Sequence, residues 1–246
     1  PALARLQAGG CIMLLGDPPR PPAPGGDSLF ELLAGLGVEP LELGVQYRMH
    51  PALAAYTSKQ HCGGLLRSGV TGSARKTPQG LVWPAAEAAI AFLPLESQEF
   101  AEGDSFSNSV EATAVLDLLE GALFEGDLRP SEVGIVTPWA AQARLIRKQL
   151  DTQWPLVDIS KAEVGDVEAF EGREKDLILV SAVRTSRAAQ TTISAADHRR
   201  LSVMLTRARR GLVVCGDFAT LSRDMSGWRP WLSWAQQRGL IVGCPA

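Results

Sequence analysis

A dense group of arginines lies near the carboxyl-terminal end of the chain. Arg199, Arg200, Arg207, Arg209 and Arg210 fall within twelve residues. The formal net charge of the 246-residue chain is only −3, so this group is a local basic patch in a chain that is not generally basic. An arginine held on a helix can insert into a phosphoryl-transfer site and offset negative charge there. The alternative is a basic helix that only faces solvent.

The same segment has the apolar spacing of a helix. Leu201, Leu205 and Ala208 would form its buried face. Arg200 and Arg207 are seven residues apart and would share another face. We therefore predict a helix that presents two arginines on one side.

An aromatic residue and an arginine stand side by side in the stretch Gln46–Pro51, which reads QYRMHP. The apolar run Leu41–Val45 precedes it, so Tyr47 and Arg48 are expected at the carboxyl end of a strand, where open α/β sheets bind ligands. Such a pair can stack on a base and contact a phosphate. A strand-end tyrosine beside a surface ion pair is an equally good interpretation of these residues.

Two further segments place polar residues next to a predicted strand. At Thr137-Pro138 a strand is followed by a helix, whose free N–H groups favour a phosphate, although an ordinary capped helix is the commoner outcome. Across residues 168–176, charged residues and a glycine precede an apolar strand. Gly172 permits a tight turn that could aim Glu174 at a ribose or a cation-bound water, and a solvated loop is the alternative.

The elements that must position these residues follow an α/β pattern. Several apolar runs are continuous, as in parallel strands that are buried on both faces. Strands are predicted at Cys11–Leu15, Leu41–Val45, Ala89–Leu93, Val133–Val136, Leu156–Ile159, Leu177–Val183 and Leu212–Cys215. Their alternation with helices predicts a mostly parallel sheet.

Two predicted helices separate some of these strands. The first covers Ser109–Leu123, with Asn108 as its N-cap and Glu111 as the capping partner. The second begins at Thr137-Pro138, and its apolar face comprises Trp139, Ala143, Ile146 and Leu150.

Cysteine and histidine usage argues against a metal site within the chain. The four cysteines form no C-x-x-C pair, and the three histidines are scattered. We expect buried, reduced thiols in a cytoplasmic or nuclear protein. No apolar stretch reaches the roughly 18 residues of a membrane span, so no membrane partner is expected.

The order and spacing of the polar segments resemble motifs III to VI of superfamily-one helicases. The series is G-D after a strand, then Q-Y-R-M-H-P, T-P-W-x-x-Q, E-A-F-E-G-R-E-K-D and R-R-L-S-V-M-L-T-R-A-R-R-G. The similarity is greatest to the Upf1-like branch, the up-frameshift and senataxin type RNA helicases, and extends from about Gly16 to Val242. It implies a RecA-like fold of the P-loop NTPase type, with helices on both faces of the sheet.

The resemblance also implies roles for the residues that bind nucleotide. In this family ATP and Mg²⁺ lie in a cleft between two RecA-like domains. By position, Tyr47 would stack on the adenine, and Glu174 would help to hold the ribose or the nucleotide pocket. Arg48 and Arg207 would contact the γ-phosphate and act as the catalytic arginines.

Nucleic-acid contacts are implied at a second set of positions. Thr137, Pro138, Ser181 and Arg184 would contact the backbone of single-stranded RNA or DNA, which runs across both RecA-like domains in this family. The other expected partners are the first RecA-like domain of the same protein and decay-factor proteins. The resemblance thereby points to nonsense-mediated mRNA decay.

Three positions depart from the family pattern. Arg20 stands where the family has a glutamine that senses the γ-phosphate, so it joins the expected ATP-binding residues. Glu171 replaces another glutamine, and Ser202 replaces a common asparagine. An extra carboxylate near polyphosphate is unfavourable unless a cation such as Arg173 offsets it. These changes leave open a degenerate helicase that binds nucleic acid or protein without ATP turnover.

The phosphate-binding motifs of such an enzyme, G-x-x-x-x-G-K-[ST] and D-E-x-Q, do not occur in the chain. ATP and Mg²⁺ would then be held mainly by another RecA-like domain, and we expect no ATP hydrolysis by the chain alone. Residues 1–37, including the proline-rich stretch Pro18–Gly26, are interpreted as the tail of that first domain plus a linker, and residues 38–246 as the second. An unrelated α/β nucleotide-binding module is the remaining alternative.

Overall fold

The computed structural model describes residues 29–85, 88–153, 158–185 and 195–243. The chain divides into two compact units, Pro1–Leu43 and Gly44–Ala246. In the first unit the described residues form helix α1 (Leu29–Gly35). The predicted strand Cys11–Leu15, the proline-rich stretch and Arg20 lie outside the described residues. The border between RecA-like domains after residue 37 stays a prediction.

A parallel sheet forms the centre of the second unit. In chain order the strands of the described residues are β1 (Val45–Gln46), β2 (Arg67–Ser68), β3 (Ile90–Pro94), β4 (Phe100–Glu102), β5 (Ser105–Ser107), β6 (Val133–Thr137), β7 (Glu163–Asp166), β8 (Lys175–Ser181) and β9 (Ala208–Gly216). Five of them form the parallel sheet in the order β3-β9-β8-β6-β7, while β1 pairs with β2 and β4 with β5. The predicted α/β class with a mostly parallel sheet is confirmed.

Helices cover both faces of this sheet. They are α2 (Pro51–His61), α3 (Ser109–Glu120), α4 (Ala140–Gln153), α5 (Ala195–Thr206), α6 (Phe218–Leu221) and α7 (Trp228–Gln237). Alternate residues of a strand point to opposite faces. In β8, Ile178 and Val180 therefore join a core with α2, α5 and α7, whereas Leu177 and Leu179 join a second core with α3 and α4. Each face has its own apolar core, which explains the continuous apolar runs.

Four predicted strands agree with the structure, and they correspond to β3, β6, β8 and β9. The prediction for Leu156–Ile159 is wrong where it is described, because Asp158–Lys161 is a short 3₁₀-helix. The strand beside β6 at this edge of the sheet is instead β7, whose residues Glu163–Asp166 are mostly polar and half-buried, so they form no apolar run. The prediction for Leu41–Val45 is wrong except at its last residue. Leu41 and Leu43 are 92% and 79% exposed, so burial does not hold them in a strand.

The two predicted helices are confirmed with different ends. Asn108 caps α3, since its side chain accepts the N–H of Glu111 at 3.1 Å, and a π-helical turn at Gly121–Glu125 follows the helix. Helix α4 begins only at Ala140. Its Ile146 and Leu150 are buried, as predicted for the apolar face, whereas Ala143 is half-buried and Trp139 precedes the helix.

The cysteine prediction is confirmed at one position. Cys215 is fully buried, and burial raises the pKa of its thiol well above the ordinary value. Cys62 is half-buried, and the other two cysteines lie outside the described residues. None of the helices in the described ranges is both long enough and apolar enough to cross a membrane.

The aromatic side chain of Phe92 on β3 anchors the first core. It is fully buried, and its ring centroid lies 5.9 Å from that of Phe218 and 6.1 Å from that of Trp231. Phe92→Ala should lower the free energy of unfolding by about 3–5 kcal/mol, because it leaves a cavity between two elements. Phe124→Ala is the matched control, since that ring is 56% exposed and its loss should cost at most about 0.5 kcal/mol. Urea unfolding curves would measure both, and equal losses would contradict this account of the core.

Candidate functional site

An ion pair between Arg48 and Glu174 lies at the amino-terminal edge of the central sheet. Arg48 Nε donates to Glu174 Oε2 at 2.8 Å, and Arg48 Nη1 donates to the carbonyl of Thr206 at 3.2 Å. Arg209 Nη1 lies 3.8 Å from the other carboxylate oxygen of Glu174. The side chains of Arg48 and Glu174 are 37% and 43% exposed, so a ligand in solvent can reach them.

Tyr47 and Arg48 follow the carboxyl end of β1, as predicted, but this position does not coincide with the carboxyl-terminal edge of the central sheet, where a ligand site was expected. The strand that precedes them, β1, pairs with β2 in a separate small sheet. The following residues reach the amino-terminal ends of β8 and β9, where the N–H of His50 donates to the carbonyl of Arg209 at 2.8 Å. Tyr47 and Arg48 therefore lie at the edge opposite to the one where open α/β sheets usually bind ligands.

The ring of Tyr47 packs against Gly69. A Cβ atom at Gly69 would lie 2.2 Å from Tyr47 Cε1, so only glycine leaves room for the ring in this position. Tyr47 is nevertheless 66% exposed. Arg75 holds the adjoining backbone, since its Nε donates to the carbonyl of Arg48 at 3.1 Å. The exposed ring suits stacking on a planar base. Gly69 and Arg75 are not among the predicted site residues, because their loop has no recognisable spacing.

The basic segment is a helix followed by a strand, which corrects the prediction of one helix with Arg200 and Arg207 on the same face. Helix α5 ends at Thr206, and β9 begins at Ala208. Ala208 pairs with Lys175 in the parallel sheet, so it cannot belong to the helix face. Ala208 is buried in the sheet and not on a helix face. Its apolar side chain therefore continues the helical spacing in the sequence although the helix has already ended.

Arg207 occupies the junction between α5 and β9. Its Nε donates to the carbonyl of Val203 at 3.1 Å, and its Nη2 donates to Thr206 Oγ1 at 2.7 Å. The residue is 9% exposed. A cation at the carboxyl end of a helix interacts favourably with the last carbonyls and the helix dipole. The guanidinium is thus held close to the Arg48–Glu174 pair, because Arg48 also binds Thr206.

Ion pairs connect the charged segment before β8 to α5 and β7. They are Arg199–Glu171, Arg200–Glu168 and Arg173–Glu163. The carboxylate of Glu171 is therefore offset by a cation, as the sequence analysis requires, but that cation is Arg199, at 2.9 Å, whereas Arg173 pairs with Glu163. This pairing depends on the tertiary structure, because α5 brings Arg199 next to Glu171, which lies 28 positions earlier in the chain. Gly172 has a φ of +75°, which confirms the predicted tight turn.

The residues expected to contact nucleic acid lie at the carboxyl-terminal edge of the sheet. Thr137 ends β6 and Ser181 ends β8, but both side chains are fully buried. Pro138 and Arg184 are half-buried. The guanidinium carbon of Arg184 lies 4.3 Å from the ring centroid of Phe106. Of the four predicted residues, only Pro138 and Arg184 present side-chain surface at this edge.

A network of buried polar side chains lies beneath this edge. It comprises Asn108, Glu111, Gln142 and Ser181, which are all fully buried. Gln142 Nε2 donates to Ser181 Oγ at 3.0 Å, and Ser181 Oγ donates to Glu111 Oε2 at 2.7 Å. Gln142 Oε1 accepts the N–H of Asn108 at 2.8 Å, which ties α4 to the start of α3. The sequence predicts Asn108 and Glu111 only as a helix cap, and no role for Gln142, the last residue of T-P-W-x-x-Q.

A strained turn follows β8 and contacts this network. Val183 has a φ of +72°, and the N–H of Arg184 donates to the carbonyl of Ala182 at 2.9 Å, which defines a γ-turn of the rare, strained form. A β-branched residue in the left-handed region costs about 1–3 kcal/mol and persists only where its surroundings hold it. Glu111 Oε2 provides such a contact, since it accepts the N–H of Val183 at 2.9 Å.

Burial raises the pKa of Glu111 to about 7 from its ordinary value of 4.5. The hydrogen bonds from Ser181 and from the backbone of Val183 oppose this effect, because they stabilise the ionised carboxylate. Glu111 is therefore a buried acid that changes charge near neutral pH.

The two groups of site residues lie at opposite ends of the central strands. The seven-residue strand β8 follows Glu174 and ends at Ser181. A rise of about 3.3 Å per residue separates the two edges by roughly 20 Å. Within the described residues, no group of three or more His, Cys, Asp and Glu side chains is arranged to hold a metal ion. The residues predicted to bind nucleotide and those predicted to contact nucleic acid thus belong to two separate surfaces.

Comparison with known proteins identifies a family and several relatives that this chain resembles. The AAA domain family matches residues 26–219. A regulator of nonsense transcripts 1 homolog from Drosophila melanogaster is 36% identical over 219 residues, which cover 87% of this chain and 18% of that protein. A homolog of the same name from Arabidopsis thaliana is 39% identical over 202 residues, covering 80% of this chain and 16% of that protein.

A third relative has a more explicit name. The ATP-dependent helicase NAM7 from Saccharomyces cerevisiae is 36% identical over 220 residues, which cover 87% of this chain and 22% of that protein. The chain thus spans about a fifth of the length of these relatives.

Protein stability should depend on pH through Glu111. Its pKa is about 7 in the folded protein and 4.5 as its ordinary value. Its contribution to stability is therefore fully present below pH 4.5 and is lost as the pH rises through about 7. The loss amounts to about 3 kcal/mol.

Glu111→Gln cannot ionise at this position. The Tm of the variant minus the Tm of the wild type should therefore increase as the pH is raised from 5 to 8. Thermal unfolding monitored by circular dichroism would measure both profiles. Other titrating groups are shared by the two proteins and cancel in the difference. Parallel profiles would show that Glu111 does not ionise in this range.

Proposed function

The chain belongs to the Upf1-like superfamily-one helicases, within the AAA domain family, and we propose that it is the second, C-terminal motor domain of an ATP-dependent RNA helicase. One observation carries this proposal. Exposed Tyr47 precedes Arg48 in the chain, and Arg48 binds Glu174 and the carbonyl of Thr206, next to Arg207, at one edge of the sheet, where Arg209 also approaches Glu174. An aromatic ring next to several guanidinium groups suits a nucleoside triphosphate.

We infer that ATP binds at this edge, between this domain and a first RecA-like domain. Tyr47 would stack on the adenine, while Arg48 and Arg207 would contact the γ-phosphate. Exchange of the Glu174 carboxylate for a phosphate at Arg48 would cost little, because exposed ion pairs contribute at most about 1 kcal/mol. Val203 and Thr206 restrict Arg207, which supports a pre-organised contact with developing charge.

Glu174 would have two roles in this proposal. Before nucleotide binds, it keeps Arg48 and Arg209 close together by its two oxygens. With nucleotide bound, it would be available to the ribose. Arg20 lies outside the described residues, so its expected place among the ATP-binding residues stays a prediction.

The carboxyl-terminal edge would hold single-stranded RNA or DNA. Pro138 and Arg184 would contact its backbone directly, and Thr137 and Ser181 would act through the backbone beside them, because their side chains are buried. RNA is the preferred proposal, since the relatives include regulators of nonsense transcripts. Decay-factor proteins would then be its protein partners in nonsense-mediated decay, in the cytoplasm or nucleus.

ATP hydrolysis would require groups beyond those in this chain. Its sequence contains neither G-x-x-x-x-G-K-[ST] nor D-E-x-Q, so the triphosphate and Mg²⁺ would be held mainly by the first RecA-like domain. When bound, ATP supplies the free energy for cleft opening and closure. We propose that the chain alone does not turn over ATP, with Arg48 and Arg207 acting across the cleft.

The competing proposal is a scaffold without ATP turnover. One argument for it, the extra carboxylate of Glu171, is weakened by the structure. The extra carboxylate of Glu171 is paired with Arg199, at 2.9 Å, and this guanidinium offsets the repulsion between the carboxylate and a nearby phosphate. The active motor is therefore the better supported function.

The arginine role can be tested in the full-length protein. Arg207→Ala should reduce RNA-stimulated ATP turnover roughly 10²–10³-fold, because one donor to the developing charge is lost, while RNA affinity stays within about twofold. Arg207→Lys keeps the charge but loses the planar fork, so it should recover only part of the rate. Arg129→Ala is the control, as a surface arginine paired with Glu132. Normal turnover in Arg207→Ala would remove this residue from the catalytic role.

The stacking role of Tyr47 gives a separate prediction. In the full-length protein, Tyr47→Ala should raise the KM for ATP about tenfold, because stacking contributes about 1–3 kcal/mol, and should reduce the preference for ATP over UTP. Tyr47→Phe keeps the ring and is the matched control. Equal use of ATP and UTP by the wild type and Tyr47→Ala alike would refute stacking at this position.

A further inference from the structure

We propose that Glu111 is a positioning residue for RNA binding, which holds the segment Val183–Thr185 in the one conformation that presents Arg184 at the carboxyl-terminal edge. This inference rests on the proposed function, in which that edge carries the RNA strand. Glu111 lies in the first turn of α3 and is fully buried, so it does not touch RNA itself. Its contacts with the strained turn carry the proposal.

Glu111 accepts hydrogen bonds with both carboxylate oxygens. Oε2 accepts from Ser181 Oγ at 2.7 Å and from the N–H of Val183 at 2.9 Å. Oε1 accepts from Asn108 Nδ2 at 3.3 Å. Two N–H donors therefore point at the two ends of one side chain. A glutamine has one acceptor end and one donor end, so in either orientation its NH₂ would face an N–H group.

Asn108 completes the clamp on the turn. Its Nδ2 has two hydrogens, of which one donates to Ser97 Oγ at 2.7 Å and the other is shared by the carbonyl of Val183 at 3.2 Å and Glu111 Oε1 at 3.3 Å. Glu111 Oε2 accepts the N–H of Val183. Both backbone polar groups of Val183 are thus bound by the start of α3. These bonds oppose rotation of Val183 out of its φ of +72°, which a β-branched residue would otherwise leave.

The turn determines where Arg184 lies. Its guanidinium carbon is 4.3 Å from the ring centroid of Phe106 and 5.5 Å from that of Trp139. Trp139 follows Pro138 in the chain. Glu99 fixes the far side, since its Oε2 accepts from Arg184 Nε at 3.0 Å and from the N–H of Thr185 at 2.7 Å. If Val183 relaxes to negative φ, the chain direction changes and Arg184 leaves this position.

The test compares two kinetic constants of the full-length protein at pH 8. They are the RNA concentration for half-maximal ATP turnover and the turnover at saturating RNA, with a homopolymeric single-stranded RNA as the probe. Glu111→Gln should raise the half-maximal concentration about tenfold and change the saturated rate less than twofold. The reason is that the fraction of molecules with the competent turn falls, and apparent affinity falls in proportion.

A second variant guards against a folding defect in the first. Asn108→Ser keeps an oxygen that can cap α3 but removes the Nδ2 donor to Val183. It should raise the half-maximal RNA concentration several-fold, to a smaller extent than Glu111→Gln. Val115→Ala is the control for lost stability alone, since Val115 is fully buried on the same helix but belongs to the apolar core. It should lower the Tm without changing the RNA dependence.

Rescue by glycine separates positioning from general packing. Glycine adopts positive φ without strain, so Val183→Gly added to Glu111→Gln should recover most of the RNA affinity, although the double variant loses further stability. Hydrogen exchange at Val183, measured by mass spectrometry on the same protein without RNA, should be faster in Glu111→Gln and unchanged in Val115→Ala.

The results of these measurements distinguish failure of the positioning role from failure of the proposed helicase function. Unchanged RNA dependence in both Glu111→Gln and Asn108→Ser, or no rescue by Val183→Gly, would overturn the positioning role and leave the helicase function standing. Absence of RNA-stimulated turnover in the wild type would instead refute the proposed function. In that case unchanged hydrogen exchange at Val183 in Glu111→Gln would also refute the clamp, and faster exchange would support it.

Discussion

The parallel pairing of β8 between β6 and β9 is the constraint on which the remaining structure depends. Because all three strands run in the same direction, every connection that precedes them gathers at one edge and every connection that follows them gathers at the other. Arg48, Glu174 and Arg207 meet at the first edge, and Thr137 and Ser181 end strands at the second. The sheet therefore separates the two proposed ligand surfaces and joins them by its strands.

The polar groups at the two edges differ in burial. At the amino-terminal edge the Arg48–Glu174 pair is exposed and contributes little stability, so an anion can replace the carboxylate at small cost. At the carboxyl-terminal edge the polar groups are buried, and breaking any bond of the Glu111 network leaves an unsatisfied donor or acceptor. One edge is thus suited to exchange of ligands and the other to a fixed shape.

A residue's local sequence does not tell which charge it will face. Glu171 lies in a charged segment and has Arg173 two positions away, yet its partner is Arg199 from α5. Arg173 pairs with Glu163 on β7 instead. Departures from a family pattern can therefore be compensated by residues that are distant in sequence, and a substitution near a site has to be judged with its tertiary partner.

Apolar periodicity, capping residues and motif order are local or ordered along the chain, so they were enough to predict the parallel α/β core, the Asn108 cap and the family. Polar β7, exposed Leu41 and the end of α5 before Arg207 depended on burial and strand pairing, which connect distant residues. The place of Arg48 at the amino-terminal edge and the contact of Glu111 with a strained turn could be seen only in the folded chain. These facts follow from pairing partners that no local pattern contains.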